Sequence, residues 1–235
     1  MVYNVYLQVM RDGRTHAHVP DLVGCNWRAA TPEEAMARAP AAIAGHLAWL
    51  RRHGQPVPGP QEPVEAVLAA RERSTARNGG LVGFFPEDQQ PVSEGERERF
   101  LHLMACSRAD LLALTRGLDE EVLRRRPAPV SWSIYEILRH VASAEQWYLT
   151  RLFGTRQLPR LRRAESVWER LELTRALAVE RLGGLGEEAR SARVRQDEDG
   201  ELWTARKVFR RYVEHEREHY AHVCEVLDAL GVARP

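Results

Sequence analysis

Two histidines set four residues apart, His215 and His219 in the run His215-Glu216-Arg217-Glu218-His219, are the side chains of this sequence best placed to do chemistry. Wound at about 100° per residue, they fall within about 40° of the direction shared by Val208, Tyr212, Val223, Val226 and Leu230. That direction is apolar, so it faces a core. A buried imidazole without a partner costs roughly 1–3 kcal/mol. Rings at i and i+4 project side by side, the spacing that lets two ring nitrogens reach one metal ion. The other reading is a pair of core histidines, each satisfied by a backbone carbonyl or a carboxylate. The choice turns on whether a third donor meets them.

The elements around them supply one. From Ser93 the apolar period is 3.6, and Phe100, Met104, Ser107, Leu111, Leu114 and Leu118 make one stripe of a helix over about 94–117. Ser133 and Glu136 have capping-box spacing at the start of a second helix, with Ile134, Ile137, Leu138, Val141, Tyr148 and Leu152 inward and Gly154 closing it. A third helix runs from about Ser166 to Leu182, and Gly183-Gly184 ends it. An acidic, glycine-containing loop over 196–201 leads to the last helix, Thr204 to Leu230. Four such stripes predict an up-and-down four-helix bundle, in which facing helices lie roughly 8–10 Å apart. His140, at the edge of the second stripe, could then converge with His215 and His219. Three imidazoles hold a divalent ion and leave positions open for water or substrate; zinc, nickel and iron all suit them. Glu136 and Glu145 are the carboxylates that could orient His140 through its other nitrogen, or else are surface acids.

The first 90 residues read differently. Residues 2–9 alternate as a strand, Asp12-Gly13 is a hairpin turn, and Thr15–Val19 and Cys25–Ala30 are two further strands. Thr31-Pro32-Glu33-Glu34 opens a helix that reaches about His53, with Gly54 as its stop and Pro40 expected to bend it. After a proline-rich connector, Val64–Arg73 and Leu81–Phe85 could each add a strand, with Asn78-Gly79-Gly80 turning between them. The domain boundary is expected near residue 90: an α+β domain over 1–90 and a bundle over 91–235.

Bulk properties exclude several classes. The net charge of +1 offers no field for nucleic acid or an anionic membrane, and no apolar run reaches the roughly 18 residues of a membrane span. Lys207 stands alone against 33 arginines, a skew of composition rather than recognition. Arg124-Arg125-Arg126 either grips an anionic substrate or is a solvated loop. Cys25, Cys106 and Cys224 are odd in number and far apart, without a CxxC, which fits a reducing cytosol. On their own helices Cys106 and Cys224 fall away from the apolar stripes, so neither is expected to be a buried ligand or nucleophile.

Two resemblances follow. Tyr3–Leu7, the His18-Val19-Pro20-Asp21-Leu22-Val23-Gly24-Cys25 turn, Thr31-Pro32-Glu33-Glu34-Ala35 and Gly54-Gln55-Pro56-Val57-Pro58 together resemble the HicB-type antitoxin fold over about residues 2–60. That family's β-β-β-α-β module binds a small RNA-cleaving toxin, usually with a DNA-binding segment behind it; no helix-turn-helix or ribbon-helix-helix pattern follows here. Residues 94–230 resemble the DinB-like superfamily of metal-binding bundles, in Ser131-Trp132-Ser133-Ile134, Leu138-Arg139-His140-Val141, Glu145, Trp203-Thr204 and Glu214–His219. The resemblance implies His140, His215 and His219 as metal ligands, a homodimer, and relatives that transfer low-molecular-weight thiols, isomerise with a thiol cofactor or hydrolyse amides. His222 stands where relatives often have glutamine, and its reading as a fourth ligand, an outer donor or a rim residue is open. The expected function is a metal-dependent enzyme, a thiol-dependent transferase or a hydrolase acting on a small molecule. The alternative is a binding or regulatory protein whose HicB-like part engages a partner around a structural metal.

Overall fold

The computed structural model describes residues 1–73, 83–191, 193–197 and 200–234. The chain opens with β1 (Val2–Val9), β2 (Thr15–His18) and β3 (Asn26–Ala29), then α1 (Pro32–Arg52) and β4 (Glu65–Arg73). Strand order is β3-β2-β1-β4. β1 and β2 are antiparallel with Tyr6 opposite His18, and β2 pairs with β3 with His16 opposite Arg28. β4 returns parallel to β1, Val2 opposite Glu65, which needs the long crossover that α1 provides. Alternation along β1 sends Tyr3, Val5 and Leu7 into the core shared with Ala39, Ile43 and Leu47 of α1. All four residues of β2 are buried, because both faces of the sheet are covered. The expected β-β-β-α-β order is therefore present, and α1 continues through Pro40. Of the further strand expected over Leu81–Phe85, the turn and Leu81-Val82 lie outside the described residues. Gly83–Phe85 is not strand; the Phe85 ring instead packs on Tyr6 and His18, at 4.7 and 5.3 Å between centroids.

The helical part is α2 (Glu94–Thr115), a short α3 (Glu120–Arg124), α4 (Ile134–Phe153), α5 (Val167–Gly183) and α6 (Ala205–Leu230). Each long helix begins at a hydroxyl that accepts a first-turn amide: Ser93, Ser133, Ser166 and Thr204. Ser93–Glu96 and Ser133–Glu136 are complete capping boxes. The acidic loop before α6 is a small hairpin, β5 (Arg195–Gln196) against β6 (Leu202–Trp203), whose strands are too short for periodicity to reveal. The up-and-down expectation needs one correction. Contacts run round the bundle in the order α2, α5, α4, α6, so α2 and α4 stand diagonally rather than side by side. The connection that carries α3 is long enough to cross the bundle. The consequence is that α4 packs on α6, which is what brings His140 to His215.

α6 is the wall common to both halves. Its first turns, Val208, Phe209, Tyr212 and Val213, share a core with the sheet and α1. Its last turns, Val223, Val226 and Leu227, lie in a second core with Leu111, Ile137 and Leu138. The His215–His219 turn falls at the junction. Polar ties close the seam: Arg210 grips Asp88 at 2.7 and 2.8 Å, and Trp49 Nε1 donates to Asp110 at 2.6 Å. None of the described helices is long and apolar enough to cross a membrane.

The seam also carries a pH dependence. His18 faces Glu214 at 3.4 Å and His46 Nε2 donates to the Val23 carbonyl at 3.1 Å. Burial pushes both rings down to about 3. A folded value below the unfolded one leaves no penalty above about pH 6.5, and a growing penalty below it, where only the unfolded chain takes up protons. Moving from pH 7.5 to 6 should therefore remove about 1.5 kcal/mol from the two sites together, read as a fall in the urea midpoint. A midpoint flat over that interval would contradict the neutral, buried state of these rings.

Candidate metal centre

His215 and His219 are successive rungs of α6, both buried, and α4 presents His140, half-buried, from across the interface. His140 Nε2 lies 3.0 Å from His215 Nε2, and His219 Nε2 lies 3.1 Å from the same atom. One ligand atom from each of the three falls within 4.8 Å of the others. Burial is the largest of the effects that lower all three ring pKa values; the neighbouring imidazoles and Arg211 push His215 further down, and His219 falls to about 3. The rings are neutral, as ligation requires. A neutral imidazole has one N–H and one lone pair, so three nitrogens aimed at one point cannot satisfy one another fully. His219 Nδ1 is also buried without a hydrogen-bond partner among the described residues. Nitrogens bound tetrahedrally at roughly 2.0–2.1 Å stand about 3.3 Å apart, close to the spacings observed. The triad could hold a divalent ion, and its all-nitrogen donor set suits one of the first-row metals.

Aromatic rings frame the cluster. Trp132, in the segment before α4, lies over His219 with centroids 6.3 Å apart and planes 8° from parallel, and meets His140 edge-on at 5.0 Å. Tyr148 meets His215 edge-on at 5.6 Å. His222 sits at the rim, 5.9 Å from the His219 ring and 6.2 Å from Trp132, outside the group of converging nitrogens.

Neither carboxylate expected beside His140 is there. Glu136 closes the Ser133 capping box and pairs with Arg126. Glu145 is buried among Arg108, Arg175 and Thr174, turned into the bundle by its place on α4. Two members of the arginine triplet are likewise spent on local contacts: Arg124 on Glu120 and the Tyr135 ring, Arg126 on Glu136. Cys106 and Cys224, expected to lie off the apolar stripes, are buried, as is Cys25. Burial raises their thiol pKa values, which keeps them protonated.

Sequence reasoning missed the charges on the other sides of the same turn. Glu214 takes Arg210 at 2.7 Å, Arg211 at 3.0 Å and His18, while Glu216 takes Ser107 and Arg108 at 2.5 Å and Arg175 at 2.8 Å. The available signal was that α6 is charged on every face while the sheet carries two histidines, His16 and His18, two residues apart on one strand.

The sequence profile of the DinB superfamily matches residues 104–223, just over half of the chain and all three histidines. The chain belongs to the DinB superfamily. Among solved structures, YfiT from Bacillus subtilis is described as a probable metal-dependent hydrolase with an unusual four-helix bundle topology. It is 16% identical, with 66% of this chain and 97% of that one covered and a TM-score of 0.48. TT2238, described as a four-helix bundle protein, is 23% identical, with 55% and 98% covered and a TM-score of 0.44. Comparison with curated proteins returns no match. The DinB match begins inside α2, so the sheet and α1 lie outside it.

Proposed function

We propose that this DinB-superfamily protein is a metal-dependent enzyme, a hydrolase or a transferase using a low-molecular-weight thiol, with His140, His215 and His219 as the ligands of a divalent ion. The convergence of three neutral imidazole nitrogens on one point carries the reading. A divalent ion there supplies Lewis acidity and brings the pKa of a bound water or thiol toward neutrality. Everything else falls to the chain. The three rings would hold the ion, with α4 fixing His140 and α6 fixing His215 and His219 across the helix interface. Trp132 shields the cluster with an apolar face while remaining 41% exposed itself, so the mouth stays reachable. Tyr148 donates no charge to the site: burial raises its pKa to about 12, and its hydroxyl accepts from Arg211 at 3.1 Å. Glu218, the acid whose charge acts most on the His140 ring, is taken by Arg28. In this reading the rim imidazole of His222 is the side chain left to carry a proton.

The β-β-β-α-β order supports a HicB-like assignment of the N-terminal part, here with both sheet faces already covered by α1 and α6. Elemental analysis of the purified chain by inductively coupled plasma mass spectrometry tests the proposal. About one equivalent of zinc, nickel or iron per chain is expected, and a chain that takes up none from any of the three sinks it.

A further inference from the structure

The ligand-bearing turn of α6 has a second face, and the N-terminal sheet lies on it. From β2, His18 Nδ1 meets Glu214 Oε1 at 3.4 Å. From β3, Asn26 Nδ2 donates to the Glu214 carbonyl at 3.1 Å and Arg28 pairs with Glu218. His16, opposite Arg28 in register, is 3.0 Å from Asn26 Oδ1. Arg28 is the member of this row with capacity to spare. Its side chain is 65% exposed against 10% for Glu218, and among the described residues Glu218 is its only side-chain partner. A guanidinium has five N–H donors in a planar fork, so most of them are open.

Arg28 faces two ways. It holds Glu218, and His222, one turn further along the same face of α6, lies 5.9 Å from the His219 ring and 6.2 Å from the Trp132 ring, so Arg28 stands beside the mouth that Trp132 borders on the bundle side. It also lines a groove of about 500 Å³ at the end of the sheet, with Arg14, His16 and Arg38. Grooves that take small molecules run from about 300 to 1,000 Å³. The acid lining this one is Glu34, already engaged by Arg38 and by the Ala30 amide.

We propose that this groove is the anion subsite of the histidine triad, in which Arg28 grips the carboxylate of a small-molecule substrate whose reacting end is turned toward His140, His215 and His219. The reacting end rests on the metal-enzyme reading; the carboxylate contact does not. The fork of Arg28 matches a carboxylate with two parallel N–H donors, a geometry that a lysine cannot supply. The sheet, outside the DinB match, thereby becomes the part of the chain that selects substrate.

Calorimetric titration of the full chain tests this, using succinate as probe and dimethyl succinate as its uncharged counterpart, with protein stripped by chelator and protein reloaded with zinc. Succinate is expected to bind both forms and the ester neither. Arg28→Gln should weaken succinate about tenfold or more in both forms, the range for hydrogen bonds to a charged group. Arg28→Lys should also lose affinity, while zinc stoichiometry and the unfolding midpoint stay near the parent's. Arg38→Gln, on the far wall of the groove and without a tie to α6, is the second variant, and a smaller loss is expected. Equal succinate affinity in parent and Arg28→Gln overturns the proposal. So does succinate binding confined to the zinc-loaded form and indifferent to Arg28, because the carboxylate is then only a metal ligand. Absence of zinc uptake, with Arg28-dependent succinate binding intact, would instead retire the metal reading and leave the subsite standing.

Discussion

Replacing His215 by alanine should leave the chain unable to retain a metal ion. Its Nε2 is the atom that the other two rings share, at 3.0 Å from His140 and 3.1 Å from His219. His140 and His219 alone are two donors on separate helices, and water must complete the shell. Loss of an outer-sphere partner of a ligand costs roughly 10–100-fold in metal affinity, so loss of a ligand at the vertex should exceed about a hundredfold. Mass-spectrometric metal content should drop from about one equivalent to near none, with circular dichroism confirming the helical fold. A bound ion stabilises by mass action, about 2.7 kcal/mol when free metal stands at a hundred times its dissociation constant. Added zinc should therefore raise the melting temperature of the parent and not of His215→Ala. His222→Ala is the contrasting variant: its ring stands at the rim, and metal content should be kept. A His215→Ala protein that still carries a full equivalent would show that the ion sits elsewhere.

How much of such a site is legible in a sequence depends on which of its features are local. The stripe of α6 and its cap at Thr204 are properties of one helix, and the 3.6-residue period delivers both. The same holds for Ser133–Glu136 at the head of α4. The adjacency of α4 and α6 is not local. It depends on the long connection after α2, whose path across the bundle leaves no mark in hydrophobic periodicity. The larger failure concerns burial of charge. A stripe argument assigns each helix one buried face and sends the remainder to solvent. α6 is walled by the sheet, α2 and α4, so Arg210, Arg211, Glu214 and Glu216 are buried although their type argues for exposure. Cys224 and Cys106 were misplaced for the same reason. Nearness in sequence suggests Glu145 as a partner for His140, but five residues of helix turn it far enough to serve a different cluster.

That cluster sets the second large effect. Glu216 and Glu145 face Arg108 and Arg175 in the middle of the bundle, two negative groups against two positive ones, contributed by α6, α4, α2 and α5. Ser107 and Thr174 fill remaining acceptor sites at 2.5 and 3.1 Å. The set is balanced, so its desolvation is offset chiefly by internal attraction and it adds little net stability while intact. Breaking it is a different matter. Glu216→Ala leaves two buried guanidiniums competing for one carboxylate, and an unpaired buried charge of this kind costs about 3–5 kcal/mol. That is a large share of the roughly 5–15 kcal/mol that holds a typical domain. Glu136→Ala, which removes a half-exposed capping-box acid, should cost far less. Urea unfolding of the three proteins separates the cases, and Glu216→Gln refines them: it keeps the volume and removes the charge, so a loss close to that of alanine assigns the cost to electrostatics. Glu216 turns toward α2 and α5 rather than α4, so metal content should follow the folded fraction and not the substitution itself. A Glu216→Ala protein within 1 kcal/mol of the parent would mean that water reaches Arg108 and Arg175, and that the centre of this bundle is not the dry, closed interior the contacts describe.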